Sequence, residues 1–281
     1  MNSKLFYAWC GLTVLLLAFA AYLSAVVAPP EATMGAAQRI FYYHAPAAAA
    51  SFSLFIVNCI ASICFLVKRT SASDALAVSA AEVGVVFCLV VLVTGPIWAR
   101  YAWGTWWVWD ARLSTTLLLW LLYMSYLILR RAAEPGSSNV LAACLAIFAS
   151  LDIPLVYMSN RWFRTNHPQP VIGNGLDPDM ARVLNWNFLA FLAFAVLICW
   201  FRYSIERLAQ RVNTAHLRQA ARGATAMLAL PGSFAFATFK ATPSTYFHAG
   251  AVAAWSIYGL YVLSLLFKLR NLRREEAELA I

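Results

Sequence analysis

Residues 77 to 98 read AVSAAEVGVVFCLVVLVTGPIW, 22 positions with a single charged side chain, Glu82. A bilayer core needs about 20 apolar residues in helical form, because a helix satisfies its own backbone where there is no water to do so. The stretch therefore reads as a transmembrane helix. The same pattern recurs outward in both directions, at Trp9 to Ala28, Ala47 to Val67, Leu113 to Leu129, Val140 to Met158 and Trp186 to Phe201, with a seventh run from about Phe247 to Phe267. The 281 residues are 62% hydrophobic and 12% charged, against about 45–50% and about 25% in an ordinary soluble domain. An all-α integral membrane protein is expected: a six-helix bundle with a seventh carboxyl-terminal helix. A water-soluble enzyme with one closed core, a disordered chain and a collagen-like repeat are excluded. The first run resembles a signal peptide, but it exceeds the usual apolar length of about 7–15 residues and Pro29-Pro30 follow it directly. It reads as a retained helix.

The net charge of +9 carried by 21 Lys and Arg is first a statement about topology rather than about nucleic acid. Lys4, Lys68-Arg69, Arg130-Arg131 and Arg202, Arg207 and Arg211 fall at every second boundary, where the positive-inside rule puts cytoplasmic ends. Residues 29 to 46, 99 to 112 and 159 to 185 then lie on the outer face. They still hold Arg39, Arg100, Arg112, Arg161, Arg164 and Arg182. Cations kept against the topology signal favour an anionic ligand or acidic partner over simple contact with lipid headgroups.

Three units follow along the chain: a six-helix domain over 1–205, a basic connector with a short apolar segment over 206–244, and a terminal helix with a charged tail over 245–281. Lys268, Arg270, Arg273 and Arg274 argue that the last helix ends inside, which requires residues 224 to 246 to reach the outer face. The alternative is an inverted seventh helix. Glu82 near the inner end of its span reads as a carboxylate that snorkels to the inner face.

Between the third and fourth spans, Trp98, Trp103, Trp106, Trp107 and Trp109 place five tryptophans within 12 residues, interleaved with Gly104, Asp110 and Arg112. An interfacial aromatic belt accounts for one or two per boundary. Five on one loop suit a broad, flat, planar ligand, which needs aromatic and apolar area more than specific hydrogen bonds. Of four histidines, His44 and His167 both lie in outer-face loops on either side of this segment, and two imidazoles can take the two axial positions of a haem iron. His216 in the connector and His248 at the start of the last helix are weaker candidates.

The run Trp103-Gly104-x-x-Trp107-x-Trp109-Asp110-x-Arg112-Leu113 resembles the tryptophan-rich signature of the membrane haem-handling proteins of cytochrome c maturation, and the six-helix CcmC family in particular. The resemblance covers roughly residues 1 to 205. Arg39-Ile-Phe-Tyr-Tyr-His44-Ala-Pro46 looks like that family's first histidine segment, and Ser159-Asn-Arg-Trp162-Phe-Arg-Thr165-Asn-His167 like its second. The resemblance implies non-covalent, transient, b-type haem held at the periplasmic face of a bacterial inner membrane. It makes His44 and His167 the axial ligands, and Trp103, Trp106, Trp107 and Trp109 the platform. Asp110, Arg112, Arg100 and Arg164 become candidates to orient the loop or neutralise a haem propionate. The implied partners are a membrane-anchored haem chaperone of the CcmE type, an ATP-binding-cassette complex of the CcmA/CcmB type, and a small CcmD-like subunit. Residues 245 to 276 look like that small subunit fused in place. Two departures stand out: Pro168 follows His167 where the family often has Gln, and Asp152, two residues before Pro154, stands where Asn is expected.

Cys10, Cys59, Cys64, Cys88, Cys144 and Cys199 all fall inside spans, with no Cys-x-x-Cys and no Cys-x-x-Cys-His. Thiol reduction and covalent haem attachment to this chain are therefore not expected, and the absence of a Walker A loop assigns ATP hydrolysis to partners. A haem-delivery protein rather than an enzyme is the leading expectation. The alternatives are a haem lyase acting directly on apocytochrome, disfavoured by the small number of helices and histidines, and a small-molecule or haem transporter, for which Asp152-x-Pro154 is the sole polar, proline-broken feature. A membrane cytochrome of the b type would need a histidine pair within the spans, and none contains one.

Overall fold

The computed structural model describes residues 3–132, 137–167, 175–220 and 243–279. Helix α1 (Ser3–Tyr22) ends in a π-helical turn at Leu23–Val27, and a 3-10 turn at Ala36–Ile40 runs directly into α2 (Phe41–Lys68). Helix α3 (Ser71–Ala102) follows at once. The reversal is tight because Arg69 adopts a left-handed φ of 52° while its N–H bonds the Phe65 carbonyl at 2.9 Å, and Thr70 caps the new helix by accepting from the Ser73 N–H at 3.2 Å. Then come α4 (Ala111–Ala132), α5 (Ser137–Ser150), α6 (Asp152–Trp162), α7 (Pro178–Ala220) and α8 (Pro243–Glu278). With α5 and α6 sharing one crossing, seven helical segments are long and apolar enough to span a membrane. No named strand occurs among the described residues.

The α2–α3 hairpin is the centre of the bundle. Its two helices close up at Gly84, where a Cβ would lie 2.6 Å from the Phe55 ring. A small residue lets the backbones approach, and Phe55 in turn stacks on Tyr123 of α4 with centroids 3.7 Å apart and planes 7° from parallel. On that side α4, α5 and α6 complete one apolar cluster through Leu119, Tyr126, Ala142, Ala146 and Val156. On the other, α7 and α8 pack against the hairpin through an aromatic cluster of Tyr43, Phe87, Phe191, Phe247 and Tyr258. Helix α1 lies outside α7, with Phe6 and Trp9 against Trp200.

The open question of the seventh helix is answered by its contacts. At its start Tyr246 meets Tyr101 and Gly250 sits against Ile40; at its end Glu276 pairs with Arg211 at 3.7 Å and Glu275 with His216. Helix α8 thus runs parallel to α7, from the face that carries the tryptophan loop to the face that carries Lys68 and Arg130. Its basic tail joins the other basic ends. Helix α7 is 43 residues long, about 65 Å at 1.5 Å per residue, so it continues through the expected 205/206 boundary and beyond any bilayer core. The short apolar segment expected between the basic connector and the terminal helix lies outside the described residues.

Three local expectations change. Glu82 does not snorkel: its carboxylate pairs with Arg202 at 2.9 Å and accepts from the Tyr261 hydroxyl at 3.2 Å. Arg202, read as a boundary residue, is only 3% exposed and also pairs with Glu206 at 2.7 Å. The fifth span, read as one run, breaks at Leu151. There the Ser150 hydroxyl bonds the Ile147 carbonyl at 2.7 Å, the Leu151 N–H reaches back to Phe148 at 3.1 Å, and Pro154 has no N–H to continue the ladder. Asp152 opens α6 just past this break, with both carboxyl oxygens buried and without a hydrogen-bond partner.

Candidate functional site

His44 lies in the first turn of α2 rather than in a loop, because the 3-10 turn carries helical backbone further toward the tryptophan face than the apolar pattern does. Its ring is half-buried. Nδ1 lies 2.9 Å from the Thr94 hydroxyl on α3. His167, also half-buried, follows α6 on the strand of chain that leaves Trp162. His44 lies within electrostatic reach of both His167 and Arg112. Residues separated by more than 120 positions in sequence therefore converge beside the loop that joins α3 to α4.

That loop is held from within and from both sides. Arg100 donates to the Gly104 carbonyl and lies over the Trp106 ring at 6.0 Å, while Gly104 itself takes a φ of 75°, a left-handed conformation that glycine adopts without strain. Trp98 and Trp103 meet edge to face at 5.3 Å, and Trp107 and Trp109 at 5.6 Å. Trp106 and Trp109 present broad exposed faces, 55% and 79% open, whereas Trp103 and Trp107 are partly buried. The Trp107 indole N–H is buried with no acceptor.

Asp110 is the hinge of the arrangement. One carboxylate oxygen caps α4 by accepting the Leu113 N–H at 2.9 Å, and the other accepts the Asn166 N–H at 3.2 Å. The residue that starts α4 thereby positions the residue before His167. Arg112 turns toward α6 and donates to the Val156 carbonyl at 3.3 Å and to the Asn160 side chain at 3.4 Å. Arg164 is exposed on the segment leading to His167.

Not every cation on this face serves the loop. Arg39 donates to the Ala25 and Ala28 carbonyls and so caps the π-helical end of the first span, and Arg182 pairs with Asp179 at 2.8 Å on the surface. His216 is joined to Glu275 on the opposite face, and the exposed His248 packs against Phe247. Thr94 and Asn160 were missed in the sequence. Thr94 could have been found as the hydroxyl beside Gly95-Pro96, whereas Asn160 lies inside the second histidine segment with nothing to mark its role. Among the described residues no cluster of three or more His, Cys, Asp or Glu side chains suits a bare metal ion.

Fold and site together define a multi-pass helical membrane protein in which a tryptophan loop and two imidazoles meet on one face. A family model described as Heme exporter protein C (CcmC) matches residues 1–223. Heme exporter protein C of Bradyrhizobium diazoefficiens is 36% identical over 215 residues, 75% of this chain and 81% of that protein. Its counterpart in Escherichia coli K12 is 31% identical over 177 residues, 62% and 72% of the two chains. A putative cytochrome c biosynthesis ccmC-like mitochondrial protein of Marchantia polymorpha is 36% identical over 188 residues, 66% and 80%. The chain belongs to the CcmC family. Helix α8 lies beyond the matched region.

Proposed function

We propose that this chain takes up haem as cargo on the tryptophan face and delivers it for the assembly of c-type cytochromes, without itself making a covalent bond. The observation that carries the reading is the convergence of His44 and His167 beside the tryptophan loop. His44 has one ring nitrogen engaged by Thr94, which leaves Nε2 to coordinate iron, and His167 supplies the second imidazole. Trp103, Trp106, Trp107 and Trp109 provide the aromatic area that a porphyrin plane needs. Trp107 adds a buried N–H in search of an acceptor, and Arg112, within electrostatic reach of His44, balances a propionate. The donor set fits haem in character: two neutral nitrogen ligands, aromatic surface, and cationic or N–H groups for carboxylates. A non-covalent, transient, b-type association suits delivery, since one imidazole can yield to an acceptor.

In this reading the tryptophan face is periplasmic, in a bacterial inner membrane. The acceptor is a membrane-anchored chaperone of the CcmE type, a CcmA/CcmB-type ATP-binding-cassette complex supplies the energy, and α8 fills the place of a CcmD-like subunit. The test is the absorption spectrum of detergent-purified protein made with haem synthesis intact, beside His44→Ala, His167→Ala and a Trp106/Trp107/Trp109→Ala variant. A low-spin spectrum that either histidine change converts or removes is expected. Haem absent from the wild type, or indifferent to all three variants, overturns the proposal.

A further inference from the structure

We infer that Thr94 is a positioning residue for haem capture: it fixes which nitrogen of His44 faces the cargo. The inference rests on the reading of His44 as a haem ligand.

The Thr94 side chain is fully buried, and its hydroxyl bonds the Val90 carbonyl one turn back at 2.7 Å. A carbonyl only accepts, so the single hydroxyl proton is spent on Val90 and the oxygen has only lone pairs left to offer. His44 Nδ1, 2.9 Å away, must then be the donor. This selects the Nδ1–H form and leaves Nε2 unprotonated, with its lone pair available. The imidazole also lies close to α3 at Gly95, where an added Cβ would stand 3.4 Å from His44 Cε1. The Thr94 hydroxyl, one residue earlier, serves as the latch for the imidazole.

Metal-binding histidines commonly donate their second N–H to an acceptor that sets tautomer and orientation and raises ligand basicity, and loss of that acceptor typically costs 10–100-fold in affinity. Here the acceptor is a side chain on a different helix, α3, whose far end leads directly into the tryptophan loop. The hydroxyl therefore registers one ligand against the element that carries the platform.

The experiment pairs two readouts on wild type, Thr94→Val, Thr94→Ser and His44→Ala. Nitrogen-15 NMR of the haem-free protein, labelled at histidine and assigned by His44→Ala, reads the tautomer with no haem present. Haem titration with a redox midpoint measurement reads the consequence. Wild type and Thr94→Ser are expected to show His44 protonated at Nδ1. The nearly isosteric Thr94→Val is expected to lose that signature, to bind haem roughly 10–100-fold more weakly, and to shift the midpoint potential upward as the ligand becomes less basic. Thr94→Ser restores all three. If His44→Ala loses haem while Thr94→Val matches wild type in tautomer, affinity and potential, the role of Thr94 is overturned and the ligand reading stands. If His44→Ala binds haem as wild type does, both fall.

Discussion

Asp110 holds Asn166 across the mouth of the site, its Oδ2 accepting the Asn166 N–H at 3.2 Å while Oδ1 caps α4. Position 110 therefore works as a clasp between the start of one helix and the approach to His167. Asp110→Asn keeps an oxygen for the cap but places an amide against the Asn166 N–H. Hydrogen bonds to charged groups contribute about 1.5–3 kcal/mol, so haem affinity should fall by at least about tenfold with little change in melting temperature. Titration of the purified variant with haem checks this, and unchanged affinity would refute the clasp.

Glu82 and Arg202 sit in the helical interior, on α3 and α7, and share Tyr261 of α8 and Glu206 as further partners. Removing one member of a buried pair typically costs about 3–5 kcal/mol because the other charge is stranded. Glu82→Ala should therefore lower the melting temperature sharply, and Glu82→Ala/Arg202→Met should recover much of the loss. A double variant no better than the single one shows that loss of Arg202 strands Glu206 in turn.

Asp152 has both carboxyl oxygens buried without a partner. Burial of a polar group without compensation costs about 1–3 kcal/mol in proteins, and more for a charged one. Asp152→Asn removes the charge at nearly constant volume and should raise the melting temperature. Differential scanning fluorimetry in detergent would decide it; a drop of several degrees would mean that the carboxylate has a partner.

Trp107 and Trp109 separate two contributions of the aromatic loop. Trp107 has a buried, unpaired indole N–H, and Trp109 is 79% exposed. Trp107→Phe keeps aromatic area and deletes the donor, so it should weaken haem binding several-fold, on the scale of about 1 kcal/mol for a hydrogen bond. Trp109→Phe should do so less. Equal effects from the two would assign the loop's role to area alone.

The spans were legible because lipid imposes a length and a polarity on the chain that few sequences meet by accident. The tryptophan loop was legible for a related reason: its density of one residue type exceeds what a membrane interface asks for. Helix ends were less so. His44 falls before the apolar run that starts at Ala47, yet Arg39 spends its charge on the carbonyls at the end of the first span and the backbone is already helical from Phe41. The pairing of Glu82 with Arg202 was invisible, since residues 120 positions apart announce no contact. The break at Leu151 had a signal in Pro154, whose missing N–H frees the Ser150 carbonyl, but a proline alone does not say whether a span kinks or restarts. The latch at Thr94 depends on a single interhelical distance, which no periodicity encodes.

The pairing of Glu82 with Arg202 also bears on how the protein is made. A helix carrying either charge alone is a poor lodger in lipid, at about 2.5–3.5 kcal/mol for a central arginine on insertion scales. Helix α3 leaves the ribosome some 120 residues before its partner, so it must wait, tolerated by its strongly apolar flanks. When α7 arrives, Arg202 settles between Glu82 and its own helix's Glu206, and the trio keeps one net negative charge. Tyr261 and the nearby Lys268 then fit α8 against that trio in a single register. The order of synthesis becomes the order of assembly, and α8, made after α7, closes over the pair.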